Sequence, residues 1–376
     1  MTTNDIAQPP QPDELEISLF GPGFGEALAL HLGQGAWLLV DSCTTPDASD
    51  PLSLRYLRAM GIDPSTAVKL IVVSHWHDDH VRGISTLVEV CRSASVAVSE
   101  ALRSDEFSTL ASVYAGAAIP EGSGINELAR VLNTLHARRP HGARFGAPLL
   151  CSVDRRLFHL PGKPGSSHPD ASIYSLSPSD ASSLQSRLAF HSLIPSPGSP
   201  TRPIAFPTQN HSSVVILVEV PPDRILLGAD LEATADPTRG WADIIDRSAV
   251  AHSPAQAFKV PHHGSHTSHD DRIWSVLLTP EPIALLSPFL RGAQVLPTPQ
   301  DISRIRSSTP NAYITSVPAY RKYRPRERVV QELVSGATRS IRTIQSGFGH
   351  IRLRKPVGEP AGAWRIDLFG AARPLA

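Results

Sequence analysis

The stretch "HWHDDH", His75 to His80, follows the apolar run "KLIVVS" and precedes "VRGIS". Three histidines and two aspartates in six positions, at the end of what reads as a buried strand, constrain the fold more than any other feature. His75 and His77 stand two apart, so on an extended strand end they point to the same side and can share one ion. Asp79 and His80 follow on a turn and can face a second ion beside it. Neutral imidazole nitrogen and carboxylate oxygen are ligands that zinc, manganese and iron accept. A solvated polar loop is the bland alternative; it suits a lone histidine better than this density of ligand types.

Two more clusters can supply further ligands. "LLGAD" ends a strand with Asp230, where a carboxylate can bridge two ions. "KVPHHGSHTS" sets His262 and His263 after another strand, followed by Gly264, where the backbone can come close to a ligand. All three clusters follow strands, so one sheet rim can gather them.

The strands come in two groups. "LEISLF", "ALALHL" and "AWLLVDSC", parted by the glycine turns "GPGFGE" and "GQG", predict an antiparallel meander. Helical spacing follows in "PLSLRYLRAM", after Gly83, and in two amphipathic stretches, "SEALRSDEFSTLASVYA" and "INELARVLNTLHARR". The region from about 140 to 210 is rich in Pro, Ser and Gly, with an N-capped helix at "SPSDASSLQSRLAFHSL". "SSVVILVEV", a "PPD" turn and "RILLGAD" then predict a hairpin, and strand alternates with helix through "AYITS". "HIRLR" and "AWRIDLFG" predict a last hairpin. Strands near both ends with helices between argue for a layered α/β sandwich.

At 376 residues and 41% apolar, with formal net charge zero, the chain can bury a large core, and nothing global points to nucleic acid or membrane. The opening "MTTNDIAQPPQPDE" is polar and proline-rich, so residues 1–14 are expected to form a disordered tail and not a signal peptide. Apolar runs fall far short of the ~20 residues of a membrane helix. Cys43, Cys91 and Cys151 are odd in number and widely spaced, which suits a reducing cytoplasm. The expectation is a cytoplasmic protein with no membrane partner.

The order "HWHDDH", then "GAD", then "PHHGS" resembles the metallo-β-lactamase superfamily, whose hallmark is His-x-His-x-Asp-His. Within it, "NHSSVVILVEV", "RILLGADLE" and "FKVPHHGSHTS" are similar to the soluble ComEC-like domain and its stand-alone relatives. "GFGEAL" resembles the early Gly-x-Gly-Asp turn of that group, with Glu26 in place of Asp, and "LLVDSC" its Val-Asp strand end. The likeness runs over about residues 15–320.

It implies a four-layer αββα hydrolase domain at 15–320; within that span the composition reads as a helical and Pro-rich insertion at about 100–210, and 321–376 reads as a basic extension with a β-hairpin. The likeness implies a metal site on the rim where two sheets meet, holding one or two divalent transition metals, Zn²⁺ or Mn²⁺. The implied metal set is His75, His77, Asp79, His80 and Asp230 with His263 or His262; the superfamily's frequent Gly-His-Gly places its ligand where His263 stands. The usual third histidine of the first ion has no clean counterpart. The group's Asn-x-x-Ser runs here from Asn210 to Ser213, with His211 inside it, so either Asn210 or His211 is a candidate metal ligand or neighbour of one. Asp41 reads as a carboxylate orienting a ligand. Lys259 matches a lysine of the same pattern and could hold an anion.

Such a site implies hydrolysis by a metal-bound hydroxide, with Asp79 accepting or orienting a proton and His266 or Lys259 stabilising the oxyanion. No G-x-S-x-G elbow offers a serine nucleophile. The ComEC-like resemblance favours phosphodiesters, hence a phosphodiesterase or nuclease. Residues 321–355 carry eight arginines and two lysines against two glutamates, which suits a polyanionic partner such as nucleic acid. Hydrolysis of a small lactone, thioester or amide is the alternative, and a metal-stabilised sensor or interaction module a second one. ComEC's DNA-uptake role does not transfer with the fold, since this chain has no channel-forming helices.

Overall fold

In a computed structural model, the structure describes residues 6–23, 25–45, 50–103, 109, 124–138, 146–162, 168–194, 209–290, 295–318, 347–359 and 363–375. The described strands form two eight-stranded sheets. The first holds Glu14–Gly21 (β1), Ala27–His31 (β2), Trp37–Val40 (β3), Val68–Val73 (β4), Ser95–Ser99 (β5) and Leu149–Cys151 (β6). The second holds Arg155–Leu160 (β7), Ala171–Ser175 (β8), Ile216–Val220 (β9), Asp223–Leu227 (β10), Ala255–Lys259 (β11), Leu278–Leu286 (β12) and Ala312–Ile314 (β13). Gly349–Pro356 (β14) and Arg365–Gly370 (β15) return to the first sheet beside β1, and Arg373–Pro374 (β16) to the second beside β13.

Each sheet mixes antiparallel and parallel pairing. β1, β2 and β3 form the predicted antiparallel meander, but β3, β4, β5 and β6 run parallel. In the second sheet β9 and β10 make the predicted hairpin, and β10, β11, β12 and β13 run parallel. The parallel strands are where helical crossovers cover the faces, so they are buried on both sides. Their carboxyl ends form the rim on which open α/β sheets place ligands.

Between the sheets, Leu15, Ile17, Leu19, Leu38, Val40, Leu70 and Val72 meet Ile216, Val218, Ile225, Leu227, Ala257 and Leu285 in one apolar layer. The outer face of the first sheet is covered by Leu52–Ala59 (α1), Ile84–Val90 (α2) and Gly124–Arg138 (α3). On α3, Ile125, Leu128, Val131 and Leu135 recur at helical spacing and are buried. Asp180–Leu193 (α4) is N-capped by Ser179, whose side chain accepts from the Ser182 amide. The second sheet is covered by Gly240–Arg247 (α5), through Trp241, Ile244 and Ile245, and by Pro299–Ser308 (α6), through Ile305. Helix, sheet, sheet and helix make the αββα sandwich.

β14 pairs with β1 along eight residues, so the C-terminal hairpin is part of the first sheet's hydrogen-bonded surface. Three of its basic residues are buried. Arg354 donates to Glu16 at 2.7 Å, Arg352 to Asp367 at 2.8 Å and Lys355 to Asp223 at 2.8 Å. Each pair is necessary, since a lone buried charge costs several kcal/mol, of order 3–5. These three cations are therefore spoken for and face no solvated partner. Arg321, Arg324, Arg326 and Arg328 lie outside the described residues, as do the Pro-rich run at 195–208 and most of the first of the two helices expected between 100 and 140. Ile6 to Asp13, read from sequence as tail, lies against the sheet: the Gln8 carbonyl accepts from Arg354 and the Asp13 carbonyl from the Val357 amide.

Candidate metal centre

The rim between the two sheets gathers all three histidine and aspartate clusters. β3 delivers Asp41, β4 delivers His75 to His80, β10 delivers Asp230 and β11 delivers His263. Their ligand atoms fall into two sets, His75, His77 and Asp230 in one, Asp79, His80, His263 and Asp230 in the other, each within 4.8 Å. Asp230 belongs to both.

Distances define how the rings point. His75 Nε2 and His77 Nδ1 face each other at 3.0 Å, with Asp230 Oδ2 3.9 Å from His75 Nε2. His80 Nε2 lies 3.3 Å from Asp230 Oδ1, and His263 Nε2 lies 3.2 Å from Asp79 Oδ2 and 3.7 Å from Asp230 Oδ2. The remaining ring nitrogens are anchored outward. His80 Nδ1 donates to Asp41 Oδ2 at 2.8 Å and His263 Nδ1 to the Ser287 carbonyl at 3.0 Å. Ser74 donates to Asp41 Oδ2 at 2.7 Å and lies 3.0 Å from His75 Nδ1. Asp41 thus fixes two rings at once, as carboxylates behind metal-binding histidines do.

The backbone around the rim is bent into uncommon conformations. Asp41, Ala229, His262 and His263 all have positive φ, between 43° and 59°. Each costs of order 1 kcal/mol and persists where surrounding contacts over-determine it, which happens at functional sites. Gly25 packs so closely that a Cβ there would stand 1.6 Å from the Asp79 carbonyl. The Glu26 amide donates to the same carbonyl at 3.1 Å, so the glycine turn after β1 supports the His75–His80 loop.

Charge explains what the cluster lacks. Asp41, Asp230 and Glu26 are buried and Asp79 nearly so, against a single ammonium, Lys259. Burial alone would lower the His80 pKa, but Asp230, Asp79 and Asp41 outweigh it and hold it well above the usual value. Burial keeps the His75 ring neutral, well below its usual value, with His80 and His77 adding to the effect. His80 Nε2 and Asp230 Oδ1 are buried and face each other at 3.3 Å out of hydrogen-bond alignment, with no other hydrogen-bond partner. Excess buried carboxylate, inward nitrogens and these two orphaned atoms fit divalent cations as the missing charge.

Residues 21–179 match the sequence model of a family described as the metallo-beta-lactamase superfamily. That stretch resembles the superfamily over 159 of the 376 residues. It contains Asp41 and His75 to His80, while Asp230 and His263 lie beyond it in sequence and reach it in space. Two solved structures resemble the chain distantly. The metallo-beta-lactamase fold protein YhfI from Bacillus subtilis is 12% identical with a TM-score of 0.34, covering 65% of this chain and 70% of that one. A mutant CmlA beta-hydroxylase is 16% identical with a TM-score of 0.32, covering 67% of this chain and 36% of that one. No curated protein sequence matches the chain.

The other candidates take different places. Of the paired histidines, His263 joins a ligand set; His262 stands beside it, its Nδ1 3.1 Å from both Glu232 and Thr267 and its Nε2 3.3 Å from the Asn210 amide. Asn210 also donates to Glu232 at 3.2 Å, and its own Oδ1 is buried without a partner. His211 is half-buried and joins neither set. His266 is exposed on the turn His266–Ser268. Lys259 departs from the sequence expectation of an anion-holding group: it is 1% exposed, pairs with Glu26 and donates to the Ala229 carbonyl at 2.9 Å, so a substrate cannot reach it.

Three contributors escaped sequence reasoning. Ser74 links His75 to Asp41, and Asp78 caps α3 by accepting from the Gly124 amide at 2.7 Å. Phe289 stacks on His263, ring centroids 5.3 Å apart. Asp78 could be suspected as a cap from its type, but its partner lies 46 residues on, inside the insertion.

Proposed function

We propose that the protein is a metal-dependent hydrolase of phosphodiesters, a nuclease or a related phosphodiesterase, acting in the cytoplasm. The observation that carries this reading is the sharing of Asp230 by two cation-type ligand sets, because paired divalent ions suit displacement at phosphorus, where both attacking and leaving oxygens need charge stabilisation. Bound there, Zn²⁺ or Mn²⁺ would supply Lewis acidity and bring the pKa of a coordinated water to about 7.

In this reading His75, His77 and Asp230 hold one ion, and Asp79, His80, His263 and Asp230 the other. Asp79 is the least enclosed of these carboxylates, its side chain 17% exposed, and is the group to accept a proton from an attacking water. His262 and Asn210, tied together at Glu232, line the approach, and His266 is the exposed donor for a developing oxyanion. Arg321, Arg324, Arg326 and Arg328 are proposed to hold the polyanion. Three free, buried cysteines suit a reducing compartment, and among the described residues no helix is long and apolar enough to cross a membrane.

Assays of bis-p-nitrophenyl phosphate and of single- and double-stranded DNA and RNA, with Mn²⁺ and with Zn²⁺, test the proposal beside a lactone and thioester panel. Cation-dependent phosphodiester cleavage is expected, with nucleic-acid affinity falling steeply as salt rises. Turnover of the lactone or thioester alone would overturn it in favour of a small-molecule hydrolase. Nucleic-acid binding without turnover of anything would favour a sensor.

A further inference from the structure

A buried ion pair underlies the rim. Lys259 and Glu26 are each 1% exposed and touch each other. The ammonium lies 3.8 Å from Asp230 Oδ1 and donates to the carbonyl of Ala229, the left-handed residue before Asp230. The second oxygen of Glu26 lies 3.5 Å from His263 Nδ1, on another left-handed residue. Through its amide, Glu26 also holds the Asp79 carbonyl. The pair therefore reaches three of the four residues in one ligand set, from β11 on one side and the glycine turn on the other.

Stability does not explain such a pair, since burying two charges costs as much as their attraction returns and apolar residues of similar size often serve as well. Its position does. Alanine at φ 43° and histidine at φ 53° have no intrinsic reason to stay there; Lys259 holds the Ala229 carbonyl, and the Glu26 carboxylate lies against the His263 ring, whose Nδ1 donates to the Ser287 carbonyl.

We propose that Glu26 and Lys259 are positioning residues for the Asp79, His80, His263 and Asp230 set, fixing the Ala229 turn and the His263 ring so that both ligands address one cation. This rests on reading that set as a cation site. Neither residue contacts substrate. His263 and Asp79 belong to this set alone, whereas Asp230 is shared with His75 and His77, which are also oriented by each other and by Ser74, so losing the pair should weaken this ion more than the other.

The test is the double variant Glu26→Gln/Lys259→Met in the full chain, which removes both charges together and leaves neither orphaned. Metal-free protein is titrated with Co²⁺, read by its d–d absorption, and with Zn²⁺, read calorimetrically. The wild type should take up two equivalents. The double variant should bind one equivalent at least about tenfold more weakly and the other with a smaller loss, with an altered cobalt spectrum and a melting curve in the absence of metal close to wild type. Glu26→Asp keeps both charges but withdraws the carboxylate from His263; it should weaken the same equivalent even if the double variant fails to fold. Wild-type affinity and spectrum for both equivalents in either folded variant overturn the proposal. A wild type that binds no cobalt or zinc sinks instead the cation-site reading beneath it.

Discussion

Asp41 Oδ2 accepts hydrogen bonds from both His80 Nδ1, at 2.8 Å, and the Ser74 hydroxyl, at 2.7 Å, with all three side chains buried. One carboxylate oxygen on β3 thereby sets the direction of two histidines delivered by β4. Asp41→Asn keeps the shape but turns one acceptor oxygen into a donor. Cation affinity should fall about 10- to 100-fold, measured by competition with a chromogenic chelator, while the melting temperature without metal changes little. Unchanged affinity would leave Asp41 a packing residue only.

The paired histidines should separate under substitution. His263→Ala removes a ring nitrogen within 3.2 Å of Asp79 and should cost bound metal, whereas His262→Ala should keep metal and lower turnover. Elemental analysis beside steady-state rates distinguishes the two. The reverse pattern would place the ligand one residue earlier than the fold does.

Acid should destabilise the fold away from the rim as well. His31 is buried and neutral, donating to the Glu14 carbonyl and accepting from the Gly35 amide, with burial bringing its pKa down from 6.5 to about 4. The unfolded chain therefore holds one more proton between those values. Stability from this group is complete above pH 6.5 and drains as pH falls towards 4, by about 3 kcal/mol in all. In urea melts, His31→Gln should be less stable than wild type at pH 7.5 yet lose less on going to pH 4.5. Equal losses would contradict the assignment.

Arg354 and Glu16 form a buried pair reinforced by Tyr56 and Ser18, both of which donate to Glu16. Arg354→Met should destabilise by about 3 kcal/mol or more, because Glu16 keeps its charge with no cation beside it. Pairing it with Glu16→Gln should recover most of that loss in chemical denaturation. No recovery would show that the arginine acts through its bonds to the N-terminal segment alone.

The rim was legible in sequence because its histidines and aspartates follow strands and crowd into short motifs: "HWHDDH", "GAD" and "PHHGS" each stand where the chain leaves a sheet. The helices of the first layer were legible for the same local reason, their apolar residues recurring at helical spacing. Burial of charge was not legible. Lys259 at a strand end and Arg352, Arg354 and Lys355 in a basic run all look solvent-facing, and only long-range neighbours enclose them. Glu16 and Arg354 are 338 residues apart, Asp223 and Lys355 132 apart. Which strands become central, and so demand paired charges, is decided by sheet order, and no local pattern carries sheet order.

The cation content of the protein as purified without chelator tests the two-set rim most directly. Elemental analysis should find about one to two equivalents of a transition metal per chain, lost together with phosphodiester cleavage on chelation and restored by Zn²⁺ or Mn²⁺. Less than about a tenth of an equivalent, with neither binding nor activity gained on adding those ions, would contradict it.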